Sequence, residues 1–296
     1  MATVGKLDFA GYVEAQKAKR AGGRARDEHA YAYVSDRNTR WTFERLRPVE
    51  LAVSAAVRLF KTFGRGELLG KAVKVGPRQF PRVHELVVQS AQSLGIPTPN
   101  VYIVNNPVLN AATYGTNEDS FIMVHSGLVD HFDDAELLSV IGHECGHIHN
   151  SHVVYLTAMH YLRVMASAFL GWIVVPALLA LNGWSRRAEI TCDRAGLICS
   201  RDLEVSTRAL AKLALGSTKL YAELDMDAFL EQHDEGQGSV GRFTEVLATH
   251  PWLPKRIKAL RVFAQSQIYR DARGEPGGLS IEEVDRRVHE IIKVLG

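Results

Sequence analysis

Apolar residues in this chain recur at helical spacing in two long segments. Residues 133–148, DDAELLSVIGHECGHI, place apolar side chains on one side of a helix, and Asp133 followed by Glu136 is typical of an N-terminal capping box. Residues 280–295, SIEEVDRRVHEIIKVL, predict a second amphipathic helix that packs on the core or on a partner. These patterns predict a mostly helical protein.

Three shorter segments alternate apolar and polar positions. They are VYIV at 101–104, NAATYG at 110–115 and SFIMVH at 120–125. A period of two is typical of β-strands, so the segments predict a small antiparallel sheet. Helices beside such a sheet indicate the α+β fold class.

One apolar segment is long enough to concern a membrane. Residues 164–184, VMASAFLGWIVVPALLALNGW, are nearly uncharged and close to the ~20 residues that a spanning helix needs. Gly171 and Pro176 are places where the chain can bend. An apolar hairpin that dips into one leaflet and burial against the chain or another subunit both stay open, with peripheral or monotopic attachment slightly preferred.

The strongest chemical signal lies inside the first helix. His143, Glu144 and His147 fit the pattern H-E-x-x-H, and a helix advances about 100° per residue, so the two histidines share a face. Neutral imidazoles suit Zn²⁺, and a glutamate beside them can accept a proton from a zinc-bound water. Gly142 and Gly146 are poor helix formers, which favours close packing of another segment at this point, although an effect on helix stability alone stays open as the alternative.

Two nearby histidines are weaker candidates as ligands. His149 and His152 lie roughly 240° and 180° from His143 around a helix, so we interpret them as surface or core polar residues. A metzincin would need glycine at 150 and histidine at 153, where this chain has Asn150 and Val153. That class is excluded.

A third ligand is available downstream. Glu189 and Asp193 are four residues apart in a predicted helix, so Glu189 can complete a His₂Glu zinc set and Asp193 can orient an imidazole. The alternative is a solvated charged face, paired with Arg186, Arg187 and Arg194. The residues alone favour this alternative.

Four segments in order resemble one family. The chain is similar to the membrane-associated gluzincin peptidases typified by HtpX, the Oma-type proteases and the CAAX prenyl endopeptidases. The matching segments are NNPVLNAATYG (105–115), the block from FIMVH to HNSH (121–152), SRRAEITCDRAG (185–196) and THPWLPKRIKAL (249–260). Cys192 stands where alanine is common, and the likeness runs from about residue 68 to 262.

The resemblance implies a zinc centre. His143, His147 and Glu189 would bind Zn²⁺, and Glu144 would be the general base that deprotonates the attacking water. Asp193 would orient His143 from behind. The implied fold is a zincin of the gluzincin type with an active-site helix.

The resemblance also implies parts around that centre. His250 would stabilise the oxyanion of the tetrahedral intermediate, and Arg256 would support that region. A lone His-Pro is usually a turn, so only the resemblance assigns this role to His250. The polypeptide substrate would pair as an added strand with the edge near Asn110, Ala111 and Ala112.

Composition narrows the setting. The chain has 296 residues, 46% of them hydrophobic, and a net charge of +2, so neither nucleic acid nor an acidic partner is implied. Three cysteines, one of them Cys145 inside the metal motif, argue against a disulfide scaffold. The start, MATVGKLDFAG, lacks a signal-peptide apolar region, so we expect a cytoplasmic protein, peripheral or monotopic on the inner membrane. A homo-oligomer is left open.

These features predict three parts. Residues 1–60 form an N-terminal extension, residues 61–263 the metallopeptidase domain with a hairpin-like insert near 153–184, and residues 264–296 the C-terminal helix. The extension is a linker, a membrane or partner arm, or a propeptide. Its basic residues are Lys17, Lys19, Arg20, Arg24 and Arg26.

The sequence therefore predicts a zinc endopeptidase for membrane-associated processing or quality control, without defining its substrate. The rival hypothesis is a catalytically silent, membrane-associated chaperone or scaffold with a structural zinc. Such a protein would show a damaged Glu144 or a fourth ligand. Glu144 is intact, which favours the enzyme.

Overall fold

The computed structural model describes residues 30–43, 53, 57, 66, 70–117, 119–166, 171–235 and 251–293. Elements are numbered here in chain order. The strands are β1 (Ala72–Lys74), β2 (Asn100–Val104), β3 (Ala111–Gly115) and β4 (Ser120–His125). The helices up to the metal motif are α1 (Val34–Phe43), α2 (Pro81–Leu94), α3 (Ser126–His131) and α4 (Asp134–His149). Those that follow are α5 (Val153–Ala166), α6 (Gly171–Ser200), α7 (Leu203–Leu215), α8 (Thr218–Ala222), α9 (Met226–Glu235), α10 (Leu253–Phe263), α11 (Gln267–Ala272) and α12 (Ile281–Ile292).

The four strands form one mixed sheet in the order β1-β2-β4-β3. The three predicted strands are confirmed, but the prediction of an antiparallel sheet is wrong for one pair. β2 runs parallel to β4, whereas β1–β2 and β3–β4 are antiparallel. The reason is the path of β3, which occupies the outer edge and returns through a short turn, so that β4 enters between β3 and β2 in the direction of β2.

The predicted α+β class is confirmed, with a core formed between the sheet and the helices. β4 is covered on both faces, because Phe121 and Met123 are buried in one apolar cluster and Ile122 and Val124 in another. The larger cluster continues through the helices, with Leu137 and the residues Ile190, Ile257, Leu260 and Val288.

Helix α4 starts as the sequence predicts. The Asp133 side chain accepts a hydrogen bond from the Glu136 backbone N–H, and the Glu136 carboxylate accepts one from Asp133 N–H. Glu136 is fully buried and its carboxylate also contacts Arg208 and Lys212, each at 2.6 Å. These charge-assisted contacts fix the first turn of the helix that carries the metal motif.

The described part of the apolar segment, residues 164–166 and 171–184, lies in two helices that pack on each other. Tyr155 and Leu162 of α5 share a buried cluster with Leu181 and Trp184 of α6, and α6 continues past Pro176 without a break. None of the helices in the described part of the chain is both long and apolar enough to cross a membrane.

The two ends of the described chain pack on the same core. Tyr33, just before α1, and Val284 of α12 belong to the cluster that contains Ile141 of α4. Part of the segment expected as an appendage is therefore packed structure. The basic cluster of residues 17–26 lies outside the described residues, and the division into three parts stays a prediction.

Candidate metal and active site

Two glycines bring α4 and α6 together. A Cβ atom on Gly142 would lie 2.7 Å from Cys199 Cβ, and one on Gly146 would lie 2.8 Å from Ala195 Cβ. Distances below 3 Å are not found between real carbon atoms of this kind. The predicted close approach is confirmed, and it brings Glu189 of α6 opposite the histidines of α4.

His143, His147 and Glu189 converge at this contact. The Nε2 atom of His143 is 3.5 Å from Glu189 Oε2, and the Nε2 atom of His147 is 3.6 Å from Glu189 Oε1. Ligand atoms around a tetrahedral zinc are about 3.4 Å apart, given bonds of about 2.0–2.2 Å. Two imidazole nitrogens and a carboxylate at this spacing fit a catalytic zinc ion, which takes three protein ligands and a water.

Asp193 and Arg256 lie behind His143. The Asp193 carboxylate is 3.0 Å from His143 Nδ1 and accepts from Arg256 Nε at 2.9 Å and Nη2 at 2.6 Å. Burial raises the pKa of Asp193, but the Arg256 guanidinium and His143 outweigh burial and hold that pKa below its usual value. An ionised Asp193 accepts the Nδ1 proton of His143, which leaves Nε2 free of a proton and directed at Glu189.

The alternative of a solvated charged face is wrong. Glu189 is 2% exposed and Asp193 is 5% exposed. Arg194, one of the arginines expected to pair with them, is buried and contacts Asp285 of α12 at 2.7 Å.

Glu144 is buried beside the histidines and contacts the edge strand. The Thr113 hydroxyl of β3 lies 2.5 Å from Glu144 Oε2 and donates to it. No motif in the sequence singles out Thr113, although strand alternation places it on the same face as Ala111. This contact fixes the carboxylate between the metal motif and β3.

Cys192 is a second candidate ligand, because it can form a metal-sized group with His143 and His147. Its Sγ atom, however, lies 3.2 Å from Nδ1 of His147, whereas Nε2 is the nitrogen that faces Glu189. Burial, with the negative charges of Glu189 and Asp36, raises the pKa of the Cys192 thiol well above its usual value. Geometry therefore favours Glu189 as the third ligand.

The two other histidines of the motif region differ in position. His149 is at the end of α4, where Nδ1 is 2.9 Å from the Tyr31 hydroxyl. His152 is 1% exposed and lies behind His147, with 3.2 Å between their Nδ1 atoms. Neither lies between the Nε2 atoms and Glu189.

A cleft runs along β3 past the histidines, and the predicted substrate-binding residues line it. Its volume is about 580 Å³. His125 N–H donates to Asn110 O at 3.0 Å, and peptide groups of an antiparallel pair alternate in direction. The peptide groups of Ala112 therefore face β4, whereas those of Ala111 and Thr113 face away from it.

A second cavity of about 330 Å³, with a largely apolar lining, also borders His143 and Glu144. The described residues that line it include Val140, Leu210, Leu213, Pro251 and Leu253. His250 lies outside the described residues, so its predicted role stays untested. The next residue, Pro251, lines the cavity.

The fold and the site together define a class. An active-site helix with H-E-x-x-H, a carboxylate from a second helix and a small mixed sheet with an edge strand beside the motif are the features of a zincin-type metallopeptidase fold. The comparison with known families agrees, and the chain belongs to peptidase family M48, whose model matches residues 77–264. The predicted family and the metalloprotease class are thereby confirmed.

Individual relatives fall into two groups. The chain is 38% identical over 170 residues to Plastoglobule-localized metallopeptidase 48, chloroplastic, of Arabidopsis thaliana, covering 56% of this chain and 49% of that protein. It is 27% identical over 229 residues to Protease HtpX of Haemophilus influenzae, covering 69% and 81%. It is 28% identical over 227 residues to a Protease HtpX homolog of Moorella thermoacetica, covering 66% and 76%. The chain thus spans about half the length of the plastoglobule relative.

Proposed function

We propose that this chain is a zinc-dependent endopeptidase that hydrolyses peptide bonds in polypeptide substrates. The observation that carries the proposal is the carboxylate of Glu189, whose two oxygens lie 3.5 Å and 3.6 Å from the Nε2 atoms of His143 and His147. Membership of family M48 supports it.

His143, His147 and Glu189 would hold the zinc ion. When bound, zinc lowers the pKa of a coordinated water and polarises a carbonyl oxygen as a Lewis acid. Asp193 keeps the proton of His143 on Nδ1 and so keeps Nε2 available as a donor to the metal. Arg256 holds Asp193 ionised and in place through its two-nitrogen contact.

Glu144 is proposed as the general base. It follows His143 on α4, and its carboxylate accepts from the Thr113 hydroxyl at 2.5 Å, so its orientation is fixed. Glu144 takes the proton from the attacking water and passes it to the leaving amine as the peptide bond breaks. His250 is proposed to stabilise the oxyanion, supported by the family likeness and by the position of Pro251 at the cavity.

The substrate is proposed to add to β3 as an extra strand. β3 is an edge strand, and the outward peptide groups of Ala111 and Thr113 are the ones available for such pairing. Gly115 N–H donates to Thr157 Oγ1 at 3.0 Å, which closes the edge at that end. Main-chain pairing favours unfolded polypeptides with loose sequence preference, and the apolar cavity favours an apolar side chain next to the scissile bond.

A peripheral membrane contact through residues 164–184, on the cytoplasmic side, is a further part of the proposal. Leu179 of α6 is 41% exposed within this apolar segment. Flotation with phospholipid vesicles tests it, and Leu179→Glu should reduce the bound fraction. Unchanged flotation of that variant, or a stable homo-oligomer that does not float, would contradict the membrane contact.

One experiment decides the enzymatic proposal. The purified protein is measured for zinc content and for cleavage of an unfolded, fluorescently labelled protein, beside Glu144→Gln and the exposed control Glu85→Gln. We expect Glu144→Gln to keep zinc and to lose at least about 10²-fold in rate, while Glu85→Gln matches the parent. Equal turnover in zinc-loaded Glu144→Gln would refute the mechanism, and a parent protein without zinc and without cleavage would refute the function.

A further inference from the structure

A line of buried hydrogen-bonding groups begins at His147 and leads away from the cleft. Nε2 of His147 faces Glu189, and its Nδ1 lies 3.2 Å from Nδ1 of His152. The other ring nitrogen of His152, Nε2, lies 3.0 Å from Asp36 Oδ2. His147, His152 and Asp36 are 4%, 1% and 1% exposed, so solvent does not replace these contacts.

If His147 binds a metal through Nε2, one arrangement of the ring protons satisfies both hydrogen bonds of this line, from His147 to His152 and from His152 to Asp36. The metal-bound nitrogen carries no proton, so Nδ1 of His147 carries one and needs an acceptor. Nδ1 of His152 is that acceptor, which places the His152 proton on Nε2. Asp36 then accepts it, because an ionised carboxylate has only acceptors to offer. The Cys192 sulfur beside Nδ1 of His147 is a weak acceptor and competes poorly.

Asp36 is itself held by two further donors. Trp184 Nε1 donates to Oδ1 at 2.8 Å, and the Thr191 hydroxyl donates to Oδ2 at 2.7 Å. The Trp184 ring also packs edge-on against His152, with 5.3 Å between ring centroids. A buried carboxylate with three donors has little freedom to turn, because each lost bond would leave a buried charge less well satisfied.

Asp36 comes from outside the region that the family model matches. It lies on α1, whereas the match begins at residue 77. Backbone N–H groups at the start of α1 donate to side chains of other helices. Tyr33 N–H donates to Thr191 Oγ1 at 3.1 Å, and Val34 N–H donates to Asp285 Oδ2 at 3.0 Å. Residues 33–36 are therefore built into the wall behind the metal motif.

We propose that Asp36 and His152 are positioning residues for the metal centre, which fix the proton of His147 on Nδ1 and so its Nε2 as the metal-binding atom. The two histidine ligands are then oriented by separate carboxylates, His143 by Asp193 directly and His147 by Asp36 through His152. The inference rests on the proposed zinc site and adds that α1 completes it.

Zinc affinity, measured by competition with a chromophoric chelator, is the primary test and needs no turnover. Asp36→Asn keeps the size of the side chain but offers His152 an amide, which no longer requires a proton on His152 Nε2. We expect a loss of about 10–100-fold in zinc affinity, the usual scale for changing a group behind a ligand. The matched control is Asp285→Asn, a second buried carboxylate that attaches α1 but does not contact the histidines.

Two variants at His152 separate positioning from packing. His152→Gln retains an oxygen that can accept from His147 Nδ1, whereas His152→Leu retains volume without an acceptor. We expect His152→Gln to bind zinc more tightly than His152→Leu. Equal affinities in these two variants, or an equal loss in Asp36→Asn and Asp285→Asn, would overturn the proposal and indicate general loosening of the fold.

The proton positions can be read in the unaltered protein, which covers the case in which variants fail to fold. Imidazole ¹⁵N spectra of the zinc-loaded chain should show His152 protonated on Nε2 alone and His147 on Nδ1. A proton on His152 Nδ1, or a second zinc equivalent that is lost in Cys192→Ala, would overturn the inference. A parent chain that binds no zinc would instead refute the proposed function.

Discussion

Replacing Gly142 with alanine should destabilise the protein even though alanine is the better helix former. The new Cβ would lie 2.7 Å from Cys199 Cβ, 2.8 Å from its sulfur and 3.2 Å from Gly196 Cα. Favourable carbon contacts are about 3.5–4.0 Å, so α4 and α6 must separate by roughly 1 Å. Overpacking of this kind costs about 1–3 kcal/mol, and the gain in helix propensity offsets about 1 kcal/mol. We expect a net loss of up to about 2 kcal/mol.

Gly183→Ala is the matched control for this prediction. Gly183 lies in α6, but the nearest atoms to its added Cβ are the ends of the Arg186 and Arg187 side chains at 3.8 Å. That is ordinary contact, so only the gain in helix propensity remains, and the variant should be more stable by about 0.5–1 kcal/mol. Chemical denaturation of the metal-free proteins compares the two free energies of unfolding, and the predicted signs are opposite.

The same substitution should reach the metal site. Separation of α4 from α6 lengthens the 3.5 Å distance between His143 and Glu189, so Gly142→Ala should bind zinc more weakly than the parent while Gly183→Ala binds equally well. If Gly142→Ala were as stabilising as Gly183→Ala and left zinc affinity unchanged, the close contact of the two helices would not be what positions Glu189.

Three further predictions concern the site itself. Glu189→Ala should lower zinc affinity, whereas His149→Ala should not, as metal titration will show; the reverse result would remove Glu189 as the third ligand. Thr113→Val should cut kcat about 10-fold at unchanged zinc content, because the substitution removes the hydroxyl that fixes the Glu144 carboxylate. A normal kcat would show that this contact is only structural. His250→Ala should cost about 10²–10³ in kcat with little change in KM, and a raised KM with normal kcat would place His250 in ground-state binding instead.

The parts of the site within one helix could be predicted from sequence, because their geometry is local. A spacing of four residues places His143 and His147 on one face of any α-helix, and the glycines beside them indicated a close neighbour without naming it. The neighbour is α6, about 50 residues away in the chain, and no local pattern relates the two helices. The i, i+4 spacing correctly placed Glu189 and Asp193 on one face of a helix, but only the family resemblance favoured a buried role over a charged surface.

In the sheet, too, local features could be predicted from the sequence and long-range pairing could not. Alternation in β2, β3 and β4 predicted each strand, since the period is a property of the strand alone. The direction of pairing depends on where β3 lies in the sheet. Because β3 occupies the outer edge, β4 pairs in parallel with β2, and no local sequence pattern indicates this. β1 has three residues, two of them exposed, and is too short to show alternation.

The positions of His152 and Asp36 could not be predicted from the sequence, and the structure shows why for each residue. The helical phase that excluded His152 assumed that α4 continues, but α4 ends at His149 and Ser151 has a φ of +57°. The chain therefore turns and returns His152 to a position behind His147, where no helical extrapolation would place it. Asp36 stands in the polar sequence SDRNTR, and two of its partners in the buried site, Trp184 and Thr191, lie 148 and 155 residues away in the chain. A residue whose environment is made by distant segments carries no local signal, so the contacts of Asp36 are visible only in the folded chain.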